Sequence, residues 1–190
     1  DLRVLDDQGQ LYTTDWRKLV RAIEYAVQNG AKIINLSIYS TMTPPKFVHE
    51  AIKMANDNDV LVVGIPGNGG EDKVSFFGQW EEVLTVGAVD SSGKPWNYSN
   101  HGSSVDLAAP GVDILSLIPD GTVEKRSGTS FAAAHVTGAA ALIASLDPDI
   151  TASRLREILL ESAKDLLEPG YDPKTGYGLL DVNKALSMLN

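Results

Sequence analysis

The feature that most constrains this chain is an alternation of short apolar runs with amphipathic helical stretches. Strand-like runs stand at Leu2 to Leu5, Ile33–Leu36, residues 60–63 and Val83–Val89, each too short for a globular helix. Between them, Leu19, Ala22, Ile23 and Ala26 keep helical spacing, with Thr14 and Asp15 as caps and Gly30 as a stop. Pro44 and Pro45 open a second helix, with Phe47, Val48, Ala51, Ile52 and Ala55 on one face. Strands apolar on both faces need cover on both sides. This order therefore predicts a mainly parallel sheet between helical layers, joined by right-handed crossovers.

The pattern changes after the turn at Asp90-Ser91-Ser92-Gly93. A strand over residues 106–109 precedes Pro110-Gly111, and Ile114–Leu117 and residues 122–125 flank Pro119-Asp120-Gly121 as a hairpin. Three helices follow, over residues 130–146, 151–163 and 182–189. With 190 residues, 43% of them hydrophobic, and no repeat or linker, one domain with one sizeable core is expected. A net charge of -9 without a basic patch speaks against a nucleic-acid partner. Residues 131–146 are Ala-rich and shorter than a bilayer span, so they predict a buried helix, a soluble chain and no membrane partner. The absence of Cys excludes disulfides and thiolate chemistry and leaves the compartment open. No strand is followed by a G-x-G-x-x-G or Walker-type loop, which sets nucleotide binding aside.

Gly128-Thr129-Ser130 lies between the hairpin and the most apolar helix, so Ser130 sits at or near a helix N-terminus, where free N–H groups favour negative charge. A GTS tripeptide alone reads as an ordinary cap. The whole run SGTSFAAAHVTG over residues 127–138 closely resembles the nucleophile signature of the subtilisin-like serine proteases. Further matches keep that family's order: Ile34-Asn35-Leu36-Ser37, Gly67-Asn68, VGAV at 86–89, DLAAPG at 106–111 and Gly176-Tyr177-Gly178. The resemblance implies an α/β three-layer subtilisin-like fold and a serine endopeptidase acting through an acyl-enzyme on Ser130, with Asn68 as a second oxyanion donor. It also implies that Ser37, Ile38 and Tyr39 form an edge that pairs with an extended peptide, and that Ile65, Pro66 and Gly67 wall the primary specificity pocket. No cofactor is needed for such chemistry, no metal ligands are assigned, and a structural calcium is left open.

A serine hydroxyl needs an adjacent base, and none of the three histidines supplies one. His135 is five residues past Ser130 on the same helix and points about 140° away. His49 lies off its helix's apolar face and reads as exposed; His101 reads as a loop residue. The family's Asp and His segments would precede Asp1. The chain is therefore expected to be the C-terminal portion, residues 1–190, of a single peptidase domain, inactive alone. Its partners would be a peptide or protein substrate, and either the N-terminal segment of the same domain or an oligomer mate. The rival reading is a catalytically silent relative that binds peptides or a partner protease. Two departures from the family stand near the site. Ala134 replaces a usual Pro, restoring an N–H opposite the Ser130 carbonyl and letting the helix reach back to the nucleophile. Phe76-Phe77-Gly78 replaces a usual Tyr-Pro before Gly, so the loop beneath the pocket is expected to differ.

Overall fold

The computed structural model describes residues 16–40, 42–118 and 121–189. The strand expected at Leu2 to Leu5, the cap at Thr14 and Asp15, and the hairpin residues Pro119 and Asp120 lie outside the described residues.

Four strands, β1 (Ile33–Leu36), β2 (Leu61–Gly64), β3 (Val83–Val89) and β4 (Leu107–Pro110), pair in sequence order, all parallel. Side chains alternate across a strand, so β2 and β3 feed two cores at once. Val62 and Val83 join Leu19, Ile23, Val48, Ile52 and Phe77 on one face, under α1 (Trp16–Gln28) and α2 (Lys46–Asp57). Leu61, Val63, Leu84 and Val86 meet Ala133, Val136, Ile143, Leu155 and Ile158 on the other. That second layer is α3 (Thr129–Leu146), α4 (Ala152–Glu161) and α5 (Val182–Ser187). Full burial of such side chains stabilises the fold by about 1.5–3 kcal/mol each. Three layers follow from that two-sided burial, as the uninterrupted apolar runs anticipate.

The hairpin β5 (Ile114–Leu117) and β6 (Val123–Arg126) stands apart from the sheet and hands the chain to α3. Thr151 caps α4 by accepting from the Arg154 N–H at 3.2 Å, and Asp59 Oδ1 accepts from the Ala152 N–H at 2.7 Å. Asp181 caps α5 in the same way, at 2.9 Å from the Lys184 nitrogen.

The two edges of the sheet differ. The segment around Leu179 lies along β4, exchanging hydrogen bonds of 2.8 Å between the Ala108 N–H and the Gly178 carbonyl and between the Leu180 N–H and the Ala108 carbonyl. Among the described residues, β1 pairs on one side only. Leu142 and Leu146 on α3 and Leu115, Leu117 and Val123 on the hairpin are exposed. By length and composition, the 18-residue α3 could also cross a membrane, but its buried residues pack against the sheet, the place of a core helix.

Candidate active site

The carboxyl ends of parallel strands are where open α/β sheets gather their chemistry. Here the start of α3 is fastened to that end. The Gly128 N–H donates to the carbonyl of Gly111, just past β4, at 2.8 Å. Gly111 cannot carry a side chain, since a Cβ would stand 2.7 Å from Ala88 Cβ and 2.9 Å from the Gly128 oxygen. Ser130, half-buried, occupies the first turn of the helix so positioned.

Asn68 follows β2 in an exposed loop and reaches the same place. Its Oδ1 accepts from both the Thr129 N–H, at 2.9 Å, and the Thr129 hydroxyl, at 2.8 Å. A backbone N–H can only donate, so the amide oxygen faces Thr129 and Nδ2 turns toward Gly128, 3.8 Å from where a Cβ on that residue would stand. The Phe131 N–H is taken by the Gly128 carbonyl at 3.1 Å. Among the described residues, the Ser130 N–H and Asn68 Nδ2 are left with no acceptor. An uncommitted backbone donor on Ser130 and an uncommitted amide donor bonded through its oxygen to the adjacent Thr129, at the positive end of an 18-residue helix, suit an anionic oxygen.

The Asn68 loop is held from beneath by Asn100, a residue to which the sequence reading gave no role. Asn100 is 1% exposed; its Oδ1 accepts from the N–H groups of Gly69 (2.7 Å) and Glu71 (3.1 Å), and its Nδ2 donates to the Lys73 carbonyl at 2.9 Å. Its own N–H donates to the Gly67 carbonyl at 2.9 Å. Asn100 is one of several polar turn residues between β3 and β4, and the hydrogen bonds it makes to the Asn68 loop distinguish it. Gly67, at φ +117°, must be glycine: a Cβ there would lie 2.7 Å from Asn100 Nδ2 and 2.9 Å from Tyr39 Cε2. The Ile65 side chain is in the core, and Ile65 and Pro66 face the loop through their carbonyls, which accept from the Ser75 hydroxyl (2.6 Å) and N–H (2.8 Å).

Ser37, Ile38 and Tyr39 continue directly from β1. The Ser37 hydroxyl donates to the Ser130 carbonyl at 3.4 Å and exchanges contacts with the Asn35 amide at 3.2 and 3.3 Å. Among the described residues, the backbone groups of residues 37–40 bond to no other backbone. Helix α3 runs unbroken from Thr129 through Ala134, so it reaches back past Ser130.

None of the histidines is hydrogen-bonded to Ser130. His135 Nδ1 faces the Phe131 carbonyl at 2.9 Å, within its own helix. The His101 ring lines a separate cavity with Trp96 and Lys174. His49 corrects the expectation of a plain exposed side chain: it is half-buried, stacked on Trp80 at 4.4 Å, and its Nε2 meets Glu82 Oε2 at 2.9 Å. Burial acts to raise the Glu82 carboxyl, but the hydrogen bond and charge of His49, its own backbone N–H and Lys53 outweigh it and hold the group below the usual range. Asp106 goes the other way, raised by burial although Arg156, at 2.9 Å, and the Thr85 N–H, at 2.7 Å, oppose the shift.

Comparison with known proteins agrees with this architecture. The sequence profile of the Subtilase family matches residues 2–178, and the chain belongs to that family. It is 33% identical over 188 residues to Subtilisin DY of Bacillus licheniformis, covering 97% of this chain and 66% of that protein. To the Intracellular serine protease of Paenibacillus polymyxa it is 37% identical over 190 residues, covering 94% and 56%. The chain thus spans less than two thirds of these relatives. Among solved structures, the prenylagaramide maturation protease PagA superposes with a TM-score of 0.84 at 33% identity, covering 97% of this chain and 70% of that one. A lanthipeptide protease gives 0.86 at 27% identity, covering 100% and 69%. The subtilisin-like α/β fold read from the sequence is therefore the fold of this chain.

Proposed function

We propose that this chain carries the nucleophile and oxyanion donors of a serine endopeptidase. The Ser130 hydroxyl attacks the scissile carbonyl, its proton passes to a histidine, and the carbonyl oxygen, now anionic, is held by the Ser130 N–H and Asn68 Nδ2. Collapse of the adduct breaks the C–N bond, the histidine returns the proton to the leaving amine, and an acyl ester remains on Ser130. Water then cleaves that ester by the same route in reverse roles. No cofactor enters these steps. The histidine and its aspartate come from a segment upstream of this chain, as the family resemblance implies. The leucines of α3 that are exposed among the described residues support such a segment packing there.

One observation carries the reading: at the start of α3, by the carboxyl end of the sheet, the Ser130 N–H and the Nδ2 of Asn68, whose Oδ1 is bonded to the adjacent Thr129, have no acceptor among the described residues. The backbone at residues 37–40, unpaired among the described residues, offers an edge on which an extended substrate can add a strand. The test is a peptide-hydrolysis assay on the chain with and without its upstream segment. Turnover is expected only with the segment present, and Ser130→Ala should abolish it. Robust turnover by residues 1–190 alone would overturn the assignment of the base.

A further inference from the structure

The chain has two Asn-Gly steps, Asn29-Gly30 just past α1 and Asn68-Gly69 in the loop after β2. An asparagine followed by glycine is open to cyclisation, because no Cβ shields the next backbone nitrogen from the asparagine Cγ. At Asn68 the fold readies one reactant and restrains the other. Asn68 and Gly69 are both exposed, so water and hydroxide reach them. Asn68 Oδ1 takes hydrogen bonds from the Thr129 N–H and hydroxyl, at 2.9 and 2.8 Å, which draw electrons from Cγ and receive the charge that forms on the oxygen when Cγ is attacked. Nδ2, the group that must leave, has no acceptor among the described residues. The attacking nitrogen is held back. The Gly69 N–H is committed to Asn100 Oδ1 at 2.7 Å, and Asn100 is itself buried and tied to the Lys73 and Gly67 carbonyls. That bond covers the proton that hydroxide must remove and fixes the peptide plane that must turn.

We infer that Asn68-Gly69 is a deamidation site whose rate is set by the hydrogen bond from Gly69 to Asn100. Hydroxide takes the Gly69 N–H proton, the nitrogen adds to Asn68 Cγ, and the Cγ–Nδ2 bond breaks, Nδ2 leaving as ammonia with a proton from water. A second water then opens the cyclic imide at either carbonyl, giving aspartate or isoaspartate. On balance one water enters and one ammonia leaves, and nothing is oxidised or reduced. The product carries a carboxylate where Nδ2 stood, an acceptor in place of a donor. The consequence for activity rests on the peptidase reading above: a site that held an anionic oxygen now repels it, so the modification is a slow covalent off-switch.

The experiment follows the exchange of NH2 for OH by peptide mapping in mildly alkaline buffer, on the complete peptidase carrying Ser130→Ala so that it cannot digest itself. Asn29-Gly30 is the internal reference: its bonds, from the Gly30 N–H to the Val27 carbonyl at 3.0 Å and from Asn29 Nδ2 to the Tyr25 carbonyl at 2.8 Å, do not involve Asn100. An ordinary hydrogen bond corresponds to about two- to tenfold in rate, so Asn100→Ala should speed conversion at Asn68 by about fivefold or more relative to Asn29. A general loosening of the fold would raise both sites together and leave that ratio unmoved. Gly69 has no left-handed φ, so alanine fits its backbone, and Gly69→Ala should nearly stop conversion at Asn68 while Asn29 converts as before. No conversion at Asn68 in either protein, or an unmoved ratio in Asn100→Ala, overturns the inference and leaves the peptidase reading standing. In the active enzyme, peptidase activity should fall in step with the fraction converted at Asn68. Conversion with activity intact overturns the off-switch and the donor role of Asn68, and leaves the modification site standing.

Discussion

Asn68 Oδ1 accepts both hydrogen bonds that Thr129 can give, from its N–H at 2.9 Å and its hydroxyl at 2.8 Å. Thr129 is fully buried, so this pair of bonds satisfies it and, in the same act, fixes which way the Asn68 amide faces. Replacing Asn68 with Ala should lower kcat by about 100- to 1000-fold with little change in KM, a magnitude carried over from subtilisin itself. Thr129→Val removes only the hydroxyl bond and should cost about tenfold, the rate equivalent of one ordinary hydrogen bond. Steady-state kinetics on both variants check this.

Asn100 supports that geometry from behind. Asn100→Ala would leave the N–H groups of Gly69 and Glu71 and the Lys73 carbonyl without their partner. A loss of about 2–4 kcal/mol in urea melts is expected, allowing for partial rehydration of the loop. In protein that remains folded, kcat should fall because the Asn68 loop loses its register.

Much of this was legible in the sequence, and what was not has identifiable causes. The strands Ile33–Leu36, Val83–Val89 and Ile114–Leu117 stand where the apolar runs put them. β4 begins at Leu107, not Asp106, because the Asp106 carboxylate is used locally, accepting from the Thr85 N–H and from Arg156. β2 and β6 each sit one residue further along, and α4 and α5 end earlier than their periodicity suggested. Local pattern placed Ser130 at a helix start, and the family signature brought Asn68 into consideration. The contacts that hold them could not be read the same way. His49 meets Glu82 across 33 positions, and Ser37 meets the Ser130 carbonyl across 93, distances over which periodicity carries no information. Asn100 gave no signal because a buried turn asparagine and an exposed one look alike in sequence.

The Glu82 cluster predicts an acid-sensitive stability. Its folded carboxyl is held below its ordinary value, so the stabilisation is present above the unfolded value, near pH 4.3, and is lost as pH falls through the folded one. Glu82→Gln should therefore be less stable than the unaltered protein by about 1–2 kcal/mol at pH 7, and the gap should narrow as pH falls through the lowered folded value. Urea melts across pH 3 to 7 read this directly; a gap independent of pH would mean that the charge is not what His49 and Lys53 stabilise.

Ala134 keeps α3 continuous through the turn that carries Ser130. Ala134→Pro would remove the N–H facing the Ser130 carbonyl, leaving the Ser37 hydroxyl as its donor. In the complete enzyme this should raise kcat/KM several-fold by restoring the family's local shape, with a stability cost of up to about 3 kcal/mol. An unchanged or lower kcat/KM in a folded variant would show that Ala134 is accommodated without displacing the nucleophile.

The central claim is that Ser130 becomes covalently acylated with a base supplied from upstream. A fluorophosphonate reagent, which bonds only to an activated serine, tests it by intact mass and peptide mapping of the complete peptidase. One adduct should appear, on the peptide containing Ser130; it should be absent from Ser130→Ala and form far more slowly on residues 1–190 alone. An adduct on another serine, or rapid labelling of the chain without its upstream segment, would contradict the account.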